Sequence, residues 1–96
     1  MDLTAFRNSL DGTEPPVANG ALRALWYEAK GDWRRAHEIV QDDNGPQAAW
    51  VHAYLHRVEG DLSNARYWYG QAERPASKVP LQEEWAAIVE ALLAGG

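Results

Sequence analysis

The sequence predicts an all-α domain built from antiparallel helix-turn-helix units, and three observations predict it. Apolar residues recur at i, i+3, i+4 and i+7 in successive short segments, the spacing that gives a helix one buried stripe. A Gly-Asp pair ends one such segment and opens the next in two places, at Gly31-Asp32 and Gly60-Asp61. The segments around these pairs align at an offset of 29 residues, within the range of stacked helical repeats.

The first element runs from Leu3 to Leu10, with Leu3, Phe6, Arg7 and Leu10 at helical spacing and Asp2 placed to cap it. Asp11-Gly12-Thr13-Glu14-Pro15-Pro16 follows as a linker, because prolines cannot continue a helix and bias their predecessors toward extended backbone. Residues 1–16 are thus a lead-in helix and a linker. The first unit spans 18–43. Its first helix begins near Ala18 and buries Leu22, Leu25, Trp26 and Ala29. Gly31 suits the left-handed position after a helix end, and Asp32 can cap the next helix, which buries Trp33, Ala36, Ile39 and Val40. Asp42-Asp43-Asn44-Gly45 breaks that pattern, and Pro46 opens a new helix at its first turn.

The second unit, 46–74, repeats the arrangement. Val51, Tyr54, Leu55 and Val58 form one stripe, Gly60-Asp61 makes the turn, and Leu62, Ala65, Trp68, Tyr69 and Ala72 face the core. Three consecutive aromatics, Tyr67-Trp68-Tyr69, cannot all point at one neighbour, so Tyr67 is expected to face outward. A final helix over 80–94 starts at Pro80, has Gln82, Glu83 and Glu84 where the helix dipole favours acids, and buries Trp85, Ile88, Val89 and Leu92 before Gly95-Gly96. It reads as a cap over the apolar end of the second unit.

The stretch from Ala49 to Ala72 resembles a tetratricopeptide repeat, or its shorter Sel-type relatives. Ala53 stands where helices approach closely, Gly60-Asp61 where the unit turns, Ala65 where the helices cross, and Tyr69 and Ala72 where it closes. The earlier unit is a degenerate copy that keeps Ala24, Tyr27, Gly31-Asp32, Ala36 and Val40, but has Asp43 where a small apolar residue is expected. The resemblance implies a TPR-like α-α superhelix, flanked here by the short N-terminal helix and the C-terminal capping helix. That pattern codes for packing and leaves the role open.

In such repeats the first helix of each unit lines a concave groove. The resemblance therefore places Leu25 and Glu28 beside Gln47, Trp50, Tyr54 and Arg57 as a surface for a peptide segment or for a second copy of the chain. Trp, Tyr and Arg dominate binding energy at interfaces. The competing expectation is that Trp50 and Tyr54 pack against the lead-in or C-terminal helix.

A different reading starts from His52 and His56, four apart on one helix, with His37 on the preceding one. Imidazoles at this spacing can reach one metal ion or polar ligand, giving a small ligand- or metal-binding protein or enzyme. Against it, histidines at helix-packing positions need only a hydrogen-bonding neighbour.

Other chemistries lack their parts. There is no cysteine, hence no disulfide, thiol nucleophile or cysteine metal site, which fits a reducing, cytoplasmic setting. The pairs Asp42-Asp43 and Glu83-Glu84 read as solvated surface and dipole partners. Ser9, Ser63 and Ser77 have no glycine elbow, and no phosphate loop occurs, so no catalytic constellation and no cofactor are expected. A net charge of −5 opposes nucleic acid, and neither a secretory leader nor a membrane span is expected. With 96 residues, 46% hydrophobic, and five tryptophans, the chain suffices for one core without metal or disulfide support.

Overall fold

Asp2 caps the first helix through Oδ1, which accepts from the Ala5 N–H at 2.9 Å. In the computed structural model, which describes residues 1–95, that helix is α1 (Leu3–Asn8), continued by a 3₁₀ turn at Ser9–Asp11. Five more helices follow: α2 (Gly20–Ala29), α3 (Trp33–Val40), α4 (Pro46–Val58), α5 (Leu62–Gln71) and α6 (Leu81–Leu93). The described residues form no strand. The expected start of α2 near Ala18 moves to Gly20, because Asn19 supplies the cap: its Oδ1 accepts from the Leu22 N–H at 3.0 Å. The expected Gly95-Gly96 stop is seen in part: Gly95 adopts φ 89° after α6, and Gly96 lies outside the described residues.

The two Gly-Asp pairs build the same turn. Gly31 and Gly60 have φ of 89° and 86°, the left-handed region that a side chain disfavours. The Asp32 N–H reaches back to the Tyr27 carbonyl and the Asp61 N–H to the His56 carbonyl, each at 2.9 Å, so both helices close in the same six-residue motif. Each aspartate then caps the following helix, Asp32 accepting from the Arg35 N–H and Asp61 from the Asn64 N–H, both at 3.2 Å. Antiparallel hairpins α2–α3 and α4–α5 result, and α3 and α2 both pack on α4.

The core gathers Phe6, Leu22, Leu25, Trp26, Val40, Val51, Leu55, Ile88 and Val89, so it draws on α1, both hairpins and α6. A smaller cluster of Ala53, Ala65 and Tyr69 holds α4 to α5. Two expected core positions differ. Leu62, the first residue of α5, is 56% exposed. Ala29, at the last residue of α2, is also exposed.

Helix α6 does not sit as a cap on the end of the second hairpin. It packs against α2 and α4, and α1 packs against it as well. Trp85 fixes this placement, donating from Nε1 to the Leu25 carbonyl at 3.0 Å while its ring meets Phe6 at 5.8 Å between centroids. The lead-in docks as well: Trp26 Nε1 donates to Ser9 Oγ at 3.0 Å, and Lys30 Nζ donates to the Leu10 carbonyl at 2.6 Å. No described helix is long and apolar enough to cross a membrane.

Candidate functional site

Two faces of α4 carry most of the residues singled out in the sequence, with Leu25 and Glu28 on α2 and His37 on α3. At 100° per residue, Tyr54 and Arg57 project to one side of the helix and His52 and His56 to the other. The first side meets α6, and the second meets α3 and α5.

On the first side the expected groove is filled by the chain itself. Leu25 is fully buried in the core, and Tyr54 is buried beside Trp85. Arg57 pairs with Glu84 of α6 at 2.8 Å, and its other terminal nitrogen donates to the Val79 carbonyl. Trp50 is half-buried under the Arg74 guanidinium, 3.6 Å from its ring centroid. Gln47 uses its Oε1 to accept from Asn19 Nδ2 at 3.0 Å, tying the start of α4 to the cap of α2. Burial raises the pKa of Glu28, and the nearby Tyr54 hydroxyl opposes that shift. Most of these residues are thus engaged with their own chain. What stays open is a recess of about 720 Å³ bordered by Arg7, Glu28, Tyr54, Gln82 and Trp85.

Glu84 departs from the expected solvated acid. It is 4% exposed, with one carboxylate oxygen on Arg57 and the other accepting from the Tyr69 hydroxyl. A carboxylate is buried here only because both oxygens are held.

On the second side the three histidines converge. His37 Nε2 and His52 Nε2 are 3.1 Å apart, and one ring nitrogen from each of His37, His52 and His56 lies within 4.8 Å of the other two. The rings of His52 and His56 stack at 4.9 Å between centroids, as their four-residue spacing allows, and that of His37 stands nearly perpendicular to His52 at 4.7 Å. Two indoles flank them: Trp33 stacks on His37 at 4.9 Å, and Trp68 on His52 at 3.9 Å. Trp33 is itself fixed by donating from Nε1 to the Leu55 carbonyl at 2.7 Å.

Hydrogen bonding leaves this cluster incomplete. His56 Nδ1 lies 2.6 Å from Glu59 Oε1, so its proton sits on Nδ1 and, in the neutral ring, Nε2 carries the lone pair. His37 and His52 share one proton between their Nε2 atoms. His52 Nδ1 is buried with no partner, although the residue is only 4% exposed. Desolvation and the two neighbouring imidazoles lower the His52 pKa to about 4, and burial followed by His56 lowers that of His37. Both rings are therefore held neutral, the form that coordinates metals.

Sequence reasoning named the three histidines and missed Trp33, Trp68 and Glu59 as their surroundings. Two of these carried a local signal: Trp33 and His37 are spaced i, i+4, and His56 and Glu59 are spaced i, i+3. Trp68 had none, since its contact with His52 crosses the hairpin.

No family model matches the chain, and no curated protein or solved structure gives a significant match to it.

Proposed function

We propose that the protein is a non-enzymatic binding module: two tetratricopeptide-like hairpins whose concave face is occupied by the chain's own α6, and whose ligand is held at the imidazole cluster where α3, α4 and α5 meet. The observation that carries this reading is the convergence of ring nitrogens of His37, His52 and His56 between two stacked indoles. The equivalent Gly31-Asp32 and Gly60-Asp61 turns support the repeat resemblance. A chain without cysteine fits work in a reducing compartment such as the cytoplasm.

The test is native mass spectrometry of tag-free protein purified without chelator or imidazole. A bound species that is retained in Trp50→Ala and lost from His37→Ala supports the reading. A species lost from Trp50→Ala and retained in His37→Ala returns the function to the groove.

A second reading has its own observation. The seating of α6 on α2 and α4 fits the helix-in-groove mode of recognition, with Trp85, Ile88, Val89 and Leu92 as the anchors. A protein partner of this chain would offer a helix of the same pattern and displace α6.

A further inference from the structure

We infer that the ligand of the histidine cluster is a single divalent transition-metal ion of the zinc class, bound by His37 Nε2, His52 Nε2 and His56 Nε2, with Glu59 as the carboxylate that orients His56. This deepens the proposed function and rests on its placement of the binding site.

Four features of the cluster point to an ion of this kind. The first is spacing. Two nitrogens on a tetrahedral zinc at ordinary bond lengths stand about 3.3 Å apart, and His37 Nε2 and His52 Nε2 are already 3.1 Å apart. Two neutral imidazoles at that separation share one proton between their Nε2 atoms, and an ion there would accept a lone pair from each, with the ring that held the proton carrying it on Nδ1 instead. The second is orientation. A metal-binding histidine usually donates its other ring N–H to a carboxylate, which fixes the tautomer and makes the ligating nitrogen more basic. His56 makes that bond to Glu59 at 2.6 Å.

The third is chemical type. Three imidazole nitrogens suit zinc, cobalt, nickel and copper, whereas magnesium and calcium take oxygen ligands. The fourth is rigidity. His52 and His56 share one helix, His37 and His52 are each stacked on an indole, and the Trp33 indole is anchored to the Leu55 carbonyl. Little side-chain freedom is then lost on binding.

His37 comes from the first hairpin, while His52 and His56 come from the second. The ion would therefore join the two hairpins across the α3–α4 contact. Three protein ligands leave a fourth tetrahedral position for solvent or an added small ligand.

The experiment titrates tag-free, chelator-treated protein with cobalt(II), followed by its visible d–d absorption, and then displaces the cobalt with zinc. The expected result is one ion per chain, tetrahedral-type absorption lost on adding zinc, and a higher melting temperature with either ion. His37 is only partly buried, so His37→Ala is expected to fold with a native helical spectrum and to lose at least tenfold in affinity. Glu59→Gln is expected to lose about 10- to 100-fold, as other outer carboxylates do. The inference is overturned by an absence of saturable cobalt or zinc binding, or by equal affinity in His37→Ala. If the ion fails to bind while native mass spectrometry still shows a species lost with His37→Ala, the cluster remains the binding site and only the metal assignment falls.

Discussion

The guanidinium of Arg57 and the carboxylate of Glu84 meet at 2.8 Å, one on α4 and the other on α6, with Glu84 almost wholly buried. The second carboxylate oxygen accepts from Tyr69 on α5, so a single acid links three helices. Removing one partner of a buried pair strands the other charge, which costs about 3–5 kcal/mol. Arg57→Ala is expected to destabilise the domain by that amount in urea unfolding. The double variant Arg57→Met/Glu84→Gln should lose clearly less than the sum of its single changes, since no charge is left unpaired and the amide oxygen still accepts from Tyr69. Additive losses would show that the two residues are not coupled.

Glu73 adopts φ 56° just after α5, the left-handed position that Gly31 and Gly60 fill after α2 and α4. Its backbone repeats their hydrogen bonds, with the Arg74 N–H on the Tyr69 carbonyl at 3.0 Å. A side chain in this conformation costs about 1–2 kcal/mol, part of which glycine gives back through its freer unfolded chain. Glu73→Gly is therefore expected to raise stability by about 0.5–1 kcal/mol. Gly60→Ala should lower it by about 1 kcal/mol or more, through the backbone alone, because an added Cβ there meets no atom within 4 Å. Thermal melts of the two variants moving in the same direction would contradict this account.

The hairpins were legible because their signals are local. A glycine that must be left-handed is followed by an aspartate that can cap, and the apolar stripes on either side have helical period. The site of α6 was not legible in that way. Its apolar face, Trp85, Ile88, Val89 and Leu92, would suit the end of the second hairpin as well as the hollow between α2 and α4. The choice rests on long-range contacts such as Trp85 to Leu25, 60 residues apart. Glu84 was misread for the same reason: an acid in a first helical turn is usually a dipole partner, and only the distant Arg57 and Tyr69 make it a buried one. The histidines could be named from spacing, but whether they converge depended on how α3 crosses α4.

Phe6 has no solvent exposure and lies against Trp85, so the short α1 contributes a core side chain to helices far along the chain. Truncating a buried phenylalanine costs about 3–5 kcal/mol. Phe6→Ala is expected to lose that much, and the loss should be accompanied by a shift in the fluorescence of Trp85 and Trp26 toward the wavelength of hydrated indole. Phe6→Leu should recover most of it. A Phe6→Ala variant as stable as the parent would mean that α1 is not part of the cooperative core.

The lowered pKa of His52 ties the stability of the metal-free protein to pH in a defined direction. In the folded chain the ring titrates at about 4, because it is desolvated and faces His37 and His56. In the unfolded chain it titrates near 6.5. Above pH 6.5 neither form carries the proton, and stability is full. As pH falls below 6.5 the unfolded chain takes up the proton first, so stability declines until about pH 4, where the folded ring begins to protonate and the decline levels off. The loss from His52 between pH 7 and pH 5 is about 2 kcal/mol. His37 adds to it with the same sign, since burial and His56 outweigh the opposing pull of Glu59 and Glu38. Urea unfolding of chelator-treated protein across this range is expected to show the decline, and His52→Gln, which cannot take up a proton, should flatten much of it. A profile unchanged by His52→Gln would mean that the ring is not held neutral by its neighbours.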